Sequence, residues 1–301
     1  MFPSRFRYEA PHSLDEAIGL LHDGGDYVKV LAGGQSLVPM MKLRFAAPEM
    51  IVDINNVPGL AYHRADPDGG LRIGALCRHV DLEFSDLLKG TQPTMAAAAP
   101  LVADPLVRNR GTLVGSLCHA DPQGDWASVM LALGAAVIAQ GPGGKRAIPL
   151  AEFVTGPFQN VLEHDEIAIE AVVPKALGVR SGGYLKLERR VGDFATVGVA
   201  VAIETSGTTV VRAGIALTGV GGSTIGATEA AAALTGKPLT ADSIGEAADL
   251  AASVARPKTD HRGTAEYKRQ LVRVFVRRIL GATATAGTGT DGRAAIAERA
   301  A

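Results

Sequence analysis

Residues 31–44 read LAGGQSLVPMMKLR. An apolar, β-branched run, YVKVL at 27–31, leads into this stretch, and a second, MIVDI at 50–54, follows it. Apolar runs of that length bounded by turn residues read as buried strands. Residues 37–43 between them read as a short helix with Pro39 in its first turn, where a missing N–H breaks no helical bond. Ala32, Gly33, Gly34, Gln35 and Ser36 then form a tight turn from strand to helix within a compact β-turn-α-β unit. Upstream, Ser13-Leu14-Asp15-Glu16 is a capping box, and its helix is expected to end near His22.

A second glycine-bearing loop, RNRGTLVGSL, occupies residues 108–117. It follows an Ala-rich helix expected over 93–103 and precedes a helix over 124–133 and a strand over 135–140. Gly141-Pro142-Gly143-Gly144 reads as a hairpin turn. A diphosphate can be bound without basic side chains when consecutive backbone N–H groups point at it, which requires residues lacking Cβ at the point of contact. Ala32 to Ser36 meets that requirement, and Thr112, Leu113, Val114, Gly115 and Ser116 repeat it. Neither loop carries glycines at positions one, three and six, and neither ends in Gly-Lys-Ser/Thr. That disfavours a Rossmann NAD site and a P-loop, and favours two separate loops sharing one extended diphosphate.

Composition removes other classes. The 301 residues carry a net charge of -1 and only 5% aromatics, so neither a basic field nor stacking platforms for nucleic acid are expected. Two cysteines, Cys77 and Cys118, are too few for a disulfide framework or an iron–sulfur cluster. No signal peptide is evident at the N-terminus, and the longest apolar stretch, 129–139, is too short to span a bilayer, so a cytoplasmic protein without a transmembrane segment is expected. Beyond residue 180 the texture changes to three strands over 184–190, 196–204 and 210–218, followed by helices over 224–234, 241–254 and 264–280. This organisation gives domains at 1–177 (subdomains about 1–55 and 56–177) and 178–281, then a tail at 282–301 expected to be disordered.

Residues 31–44 resemble the first FAD motif of the medium subunits of carbon monoxide dehydrogenase/xanthine dehydrogenase family molybdenum hydroxylases, and residues 110–135 resemble the second. The resemblance continues through Tyr184-Leu185-Lys186-Leu187-Glu188-Arg189-Arg190 and Asp193-Phe194-Ala195, so it covers nearly all of the chain up to Leu280. It implies an α+β fold. An N-terminal FAD-binding domain of two α+β subdomains, like vanillyl-alcohol oxidase, would precede a C-terminal domain with a three-stranded antiparallel sheet and helices. It further implies that FAD is held in this chain and that electrons pass through it to a quinone, oxygen or NAD. A small partner subunit would carry [2Fe–2S] clusters and a large one the molybdenum–pterin cofactor, in a dimer of heterotrimers.

Carried over by position, Leu31 to Ser36 and Thr112 to Ser116 would wrap the diphosphate. Val114 stands where the family has a glycine, and its side chain is expected to crowd the cofactor. Asp125 matches a carboxylate that holds ribose hydroxyls, or else it caps its helix. Lys186 matches a lysine near the flavin ring, or is a solvated strand lysine; Ile167 or Ile169 packs either on the ring or in the core. Phe194 or Tyr184 would cover the isoalloxazine unless that face is open, and no catalytic residue or metal ligand is expected. His63, His79, His119, His164 and His261 read as surface or capping residues. Two rival readings share these residues: a stand-alone flavin oxidase or dehydrogenase of the same fold, and an assembly subunit that has lost its flavin.

Overall fold

The computed structural model describes residues 2–286 and 295–300. Its first unit is a three-stranded parallel sheet in which Met50–Asp53 lies between Arg7–Glu9 and Val28–Leu31. The helix Leu14–Gly24 starts at Ser13, whose Oγ accepts from the Glu16 N–H. Glu16 reaches back one residue beyond the cap, to the His12 N–H. The short helix Leu37–Lys42 fills the crossover between the two longer strands, which makes the connection parallel as the sequence pattern required.

The second unit is a five-stranded antiparallel sheet ordered His63–Ala65, Leu71–Gly74, Ile167–Val173, Ala136–Gly141, Gly144–Pro149. The expected hairpin is present, with Gly141 paired to Gly144. Helices Pro93–Ala98, Leu113–His119 and Asp125–Ala132 bury their apolar residues in the same core as this sheet. Between the strand Leu71–Gly74 and the helix Pro93–Ala98 lie two short helices, His79–Glu83 and Asp86–Thr91, separated because Ser85 accepts from the Leu88 N–H and starts a new one.

The C-terminal sheet has five strands where three were expected, ordered Ile225–Gly226, Thr209–Thr218, Val197–Ser206, Val179–Leu187, Ala295–Ala300. Its two faces serve two cores. Along the central strand Val197, Val199, Val201 and Ile203 pack with the helices Thr228–Leu234, Ala241–Val254 and Ala265–Ala286. The alternate residue Ala200, with Tyr184 and Ala216, joins the N-terminal core instead. The small side chains on that face let the helix Asp125–Ala132 lie close, and Thr218 Oγ1 donates to Ser128 Oγ at 2.6 Å across the junction.

Of the tail expected at 282–301, residues 282–286 and 295–300 are described. The last helix continues to Ala286, with Thr283 buried and donating to Ile279 O, and Ala295–Ala300 runs parallel to Val179–Leu187. Residues 287–294 and 301 lie outside the described residues. Among the described residues no helix is long and apolar enough to cross a membrane.

Candidate functional site

The first bend leaves the strand Val28–Leu31 at Ala32 and enters the helix at Leu37. Gly34 has φ +73°, a left-handed conformation that a Cβ disfavours. The N–H groups of Gly33, Gly34, Gln35 and Ser36 donate to no protein acceptor among the described residues. Consecutive unpaired donors at a half-buried turn are the groups from which an anion-binding nest is built.

The second bend differs from the expected loop. It turns at Arg110 and Gly111, both of whose N–H groups donate to Val107 O, and becomes helical at Leu113. Thr112 is the cap, its Oγ1 accepting from the Gly115 N–H at 3.1 Å. Gly115 and Ser116 therefore sit in a helix rather than a loop. Helical periodicity turns Leu113, Val114 and Leu117 into the core; Val114 is 2% exposed. The Val114 side chain, where crowding of a cofactor was in question, packs in the core.

The two bends meet. A Cβ on Gly33 would overlap Arg110 O and lie 2.7 Å from Gly111 Cα, so backbone passes directly over backbone. Arg78 fastens the junction. Its guanidinium donates through Nη1 to Arg110 O and through Nη2 to Asn55 Oδ1, each at 2.5 Å, and Asn55 Nδ2 donates to Ala32 O at 2.8 Å. Burial, and then the neighbouring charge of Arg110, lower the Arg78 pKa. The Arg78 guanidinium thus stands at the junction of the two bends, a positive charge added to the backbone donors of the first.

His79 is not at the surface, contrary to expectation: it is 4% exposed, its N–H donates to Gly111 O, and its Nδ1 accepts from Trp126 Nε1 at 2.9 Å. Burial, with Arg108 and Arg78 nearby, pushes its pKa down to about 4, so the ring is neutral.

Asp125 and Lys186 are brought together, at the domain junction. Asp125 follows the cap Gly124 and does not itself cap the helix. Its Oδ1 accepts from Tyr184 Oη at 2.6 Å and its Oδ2 from Lys186 Nζ at 3.1 Å. Lys186 also donates to Leu101 O and pairs with Glu188 at 3.3 Å. With 1% exposure it is no solvated strand lysine. Burial raises the Asp125 pKa against the opposing pull of Lys186 and Tyr184. Tyr184 is fully buried and engaged by Asp125, so it cannot cover an isoalloxazine; Phe194 is 51% exposed. Ile167 and Ile169 lie in the core, at 2% and 8% exposure.

The residues that sequence reasoning missed are Asn55, Arg78, His79 and Trp126. Their partners lie 23 to 47 residues away, and no local pattern marks such pairings.

Residues 4–176 match the family model described as the FAD binding domain in molybdopterin dehydrogenase, and residues 183–283 match the CO dehydrogenase flavoprotein C-terminal domain. The chain is similar to the carbon monoxide dehydrogenase medium chain of Hydrogenophaga pseudoflava, with 40% identity over 94% of this chain and 98% of that one. It is 39% identical to the 6-hydroxypseudooxynicotine dehydrogenase complex subunit alpha of Paenarthrobacter nicotinovorans, over 93% and 95% of the two chains. A solved structure of carbon monoxide dehydrogenase from Hydrogenophaga pseudoflava superposes with a TM-score of 0.90 at 42% identity, covering 96% of this chain and 100% of the other. The chain belongs to the FAD-binding medium-chain family of carbon monoxide dehydrogenase-type molybdenum hydroxylases, as an oxidoreductase subunit.

Proposed function

We propose that this chain holds the FAD diphosphate between the two bends and thereby links [2Fe–2S] clusters of a small partner subunit to an external acceptor, whether a quinone, oxygen or NAD. The observation that carries the reading is the run of free N–H groups from Gly33 to Ser36, pressed against the backbone of Arg110 and Gly111. Bound FAD would supply exchange of one or two electrons, matching single-electron clusters to two-electron acceptors. The amides of the first bend would neutralise the diphosphate, and Arg78 would keep the bends at their spacing. The first turn of Leu113–His119, with Gly115 and Ser116, would close the other side. Asp125 uses one lone pair on each oxygen for Tyr184 and Lys186, which leaves accepting capacity for a vicinal diol. Lys186 would place positive charge beside Asp125. Ile167 would pack in the core and touch no cofactor.

The domains proposed for this arrangement are 1–177 and 178–281, and the assembly a cytoplasmic dimer of heterotrimers whose large subunit carries the molybdenum–pterin cofactor. Relatives named for carbon monoxide and for 6-hydroxypseudooxynicotine are almost equally similar to this chain, at 40% and 39% identity. That favours substrate choice lying in another subunit. The test is Gly33→Ala in the full chain. Its methyl group would meet backbone atoms of the second bend, so flavin content per purified chain should fall at least tenfold while circular dichroism is retained. Undiminished flavin in a folded variant would overturn the site.

A further inference from the structure

We propose that His22, His164 and Asp165 form a binding site for a divalent transition-metal ion, of which Zn2+ is the representative. The three residues come from two parts of the fold. His22 lies near the C-terminal end of the helix Leu14–Gly24, while His164 and Asp165 precede the strand Ile167–Val173 of the neighbouring antiparallel sheet. One donor atom from each lies within 4.8 Å of the other two. His22 Nδ1 and Asp165 Oδ2 are already 2.9 Å apart, and His164 Nε2 is 4.0 Å from the same oxygen. The imidazole rings stack with centroids 6.4 Å apart and planes inclined by 22°.

Two imidazoles and a carboxylate suit a borderline ion such as Zn2+. Bonds of about 2.0–2.1 Å in a tetrahedral arrangement place donor atoms roughly 3.3 Å apart. The His22–Asp165 pair, at 2.9 Å, lies within about 0.4 Å of that spacing, and His164 approaches Asp165 to it by a movement of about 1 Å that its exposed side chain permits. The hydrogen bond between His22 and Asp165 shows what the ion replaces: the shared proton leaves, and the metal takes its place between the same two atoms. Asp23 adds negative charge near His22. The adjacent carboxylate, Glu166, is held by Arg146 at 2.7 Å and so does not pull Asp165 out of place. Water would fill the remaining position. An ion held there ties the first helix to the second subdomain, away from the cofactor bends.

The test is calorimetric titration of ZnCl2 into the chelator-treated full chain, with His22→Ala and His164→Ala as variants. One saturable equivalent is expected in the parent, with affinity weakened at least tenfold in each variant. Because both side chains are exposed, the variants should keep the parent circular dichroism, and visible absorption from Co2+ in the same site should vanish in His164→Ala. Absence of a saturable equivalent, or an equivalent kept at parental affinity in both variants, would overturn the proposal.

Discussion

At the scale of single residues, the space around a side chain decides its role more than its identity does. Val114 looked intrusive because it replaces a glycine, yet helical phase sends it into the core. Gly33 looked like room for a ligand, yet its missing Cβ makes room for the other bend. His79 is a solvent residue by type and a buried acceptor for Trp126 by position. Its folded pKa of about 4 lies below the ordinary imidazole value of 6.5, so the unfolded chain takes up the proton first as pH falls. The contribution of neutral His79 is therefore complete above pH 6.5 and lost by about pH 4, an amount on the order of 3 kcal/mol. Urea unfolding of the parent and of His79→Asn, whose amide oxygen can still accept from Trp126, should show a steeper fall of stability across that window in the parent. Equal slopes would mean that His79 does not titrate on unfolding.

At the scale of elements, the β-turn-α-β unit at 28–53 was legible because its strands are short apolar runs and its turn is rich in glycine. The second bend was half legible: the glycines and Thr112 stood out, but a Thr cap followed three residues later by glycine does not look like a helix start. The fastening between bends was invisible, since Arg78 reaches Arg110 O and Asn55 over 32 and 23 residues. Each of those charge-assisted bonds contributes about 1.5–3 kcal/mol to the arrangement. Replacing Arg78 by Ala should therefore speed FAD dissociation about tenfold or more, with the secondary structure unchanged. Stopped-flow displacement of the flavin measures this, and a parental dissociation rate would show that the bends hold without the clamp.

At the scale of the whole molecule, the two cores share one sheet, and the central polar contacts between them are Asp125, Tyr184 and Lys186. The alternation of large and small residues in Val197–Ser206 was legible as strand pattern, but which face met which domain depended on sheet order, and sheet order is nonlocal. The same holds for Ala295–Ala300, whose partner strand lies far back in the chain. What the whole arrangement achieves is to press Gly33 of the first bend against Arg110 and Gly111 of the second, with the Arg78 guanidinium fastened to Arg110 O beside them. The most direct measurement is an amide chemical-shift titration of the isotopically labelled full chain with FAD and, separately, with riboflavin, which lacks the diphosphate. The account predicts that FAD shifts the amides of Gly33 to Ser36 together with those of Val114 to Ser116, and that riboflavin leaves both sets in place. Shifts confined to one bend, or equal responses to the two flavins, would contradict it.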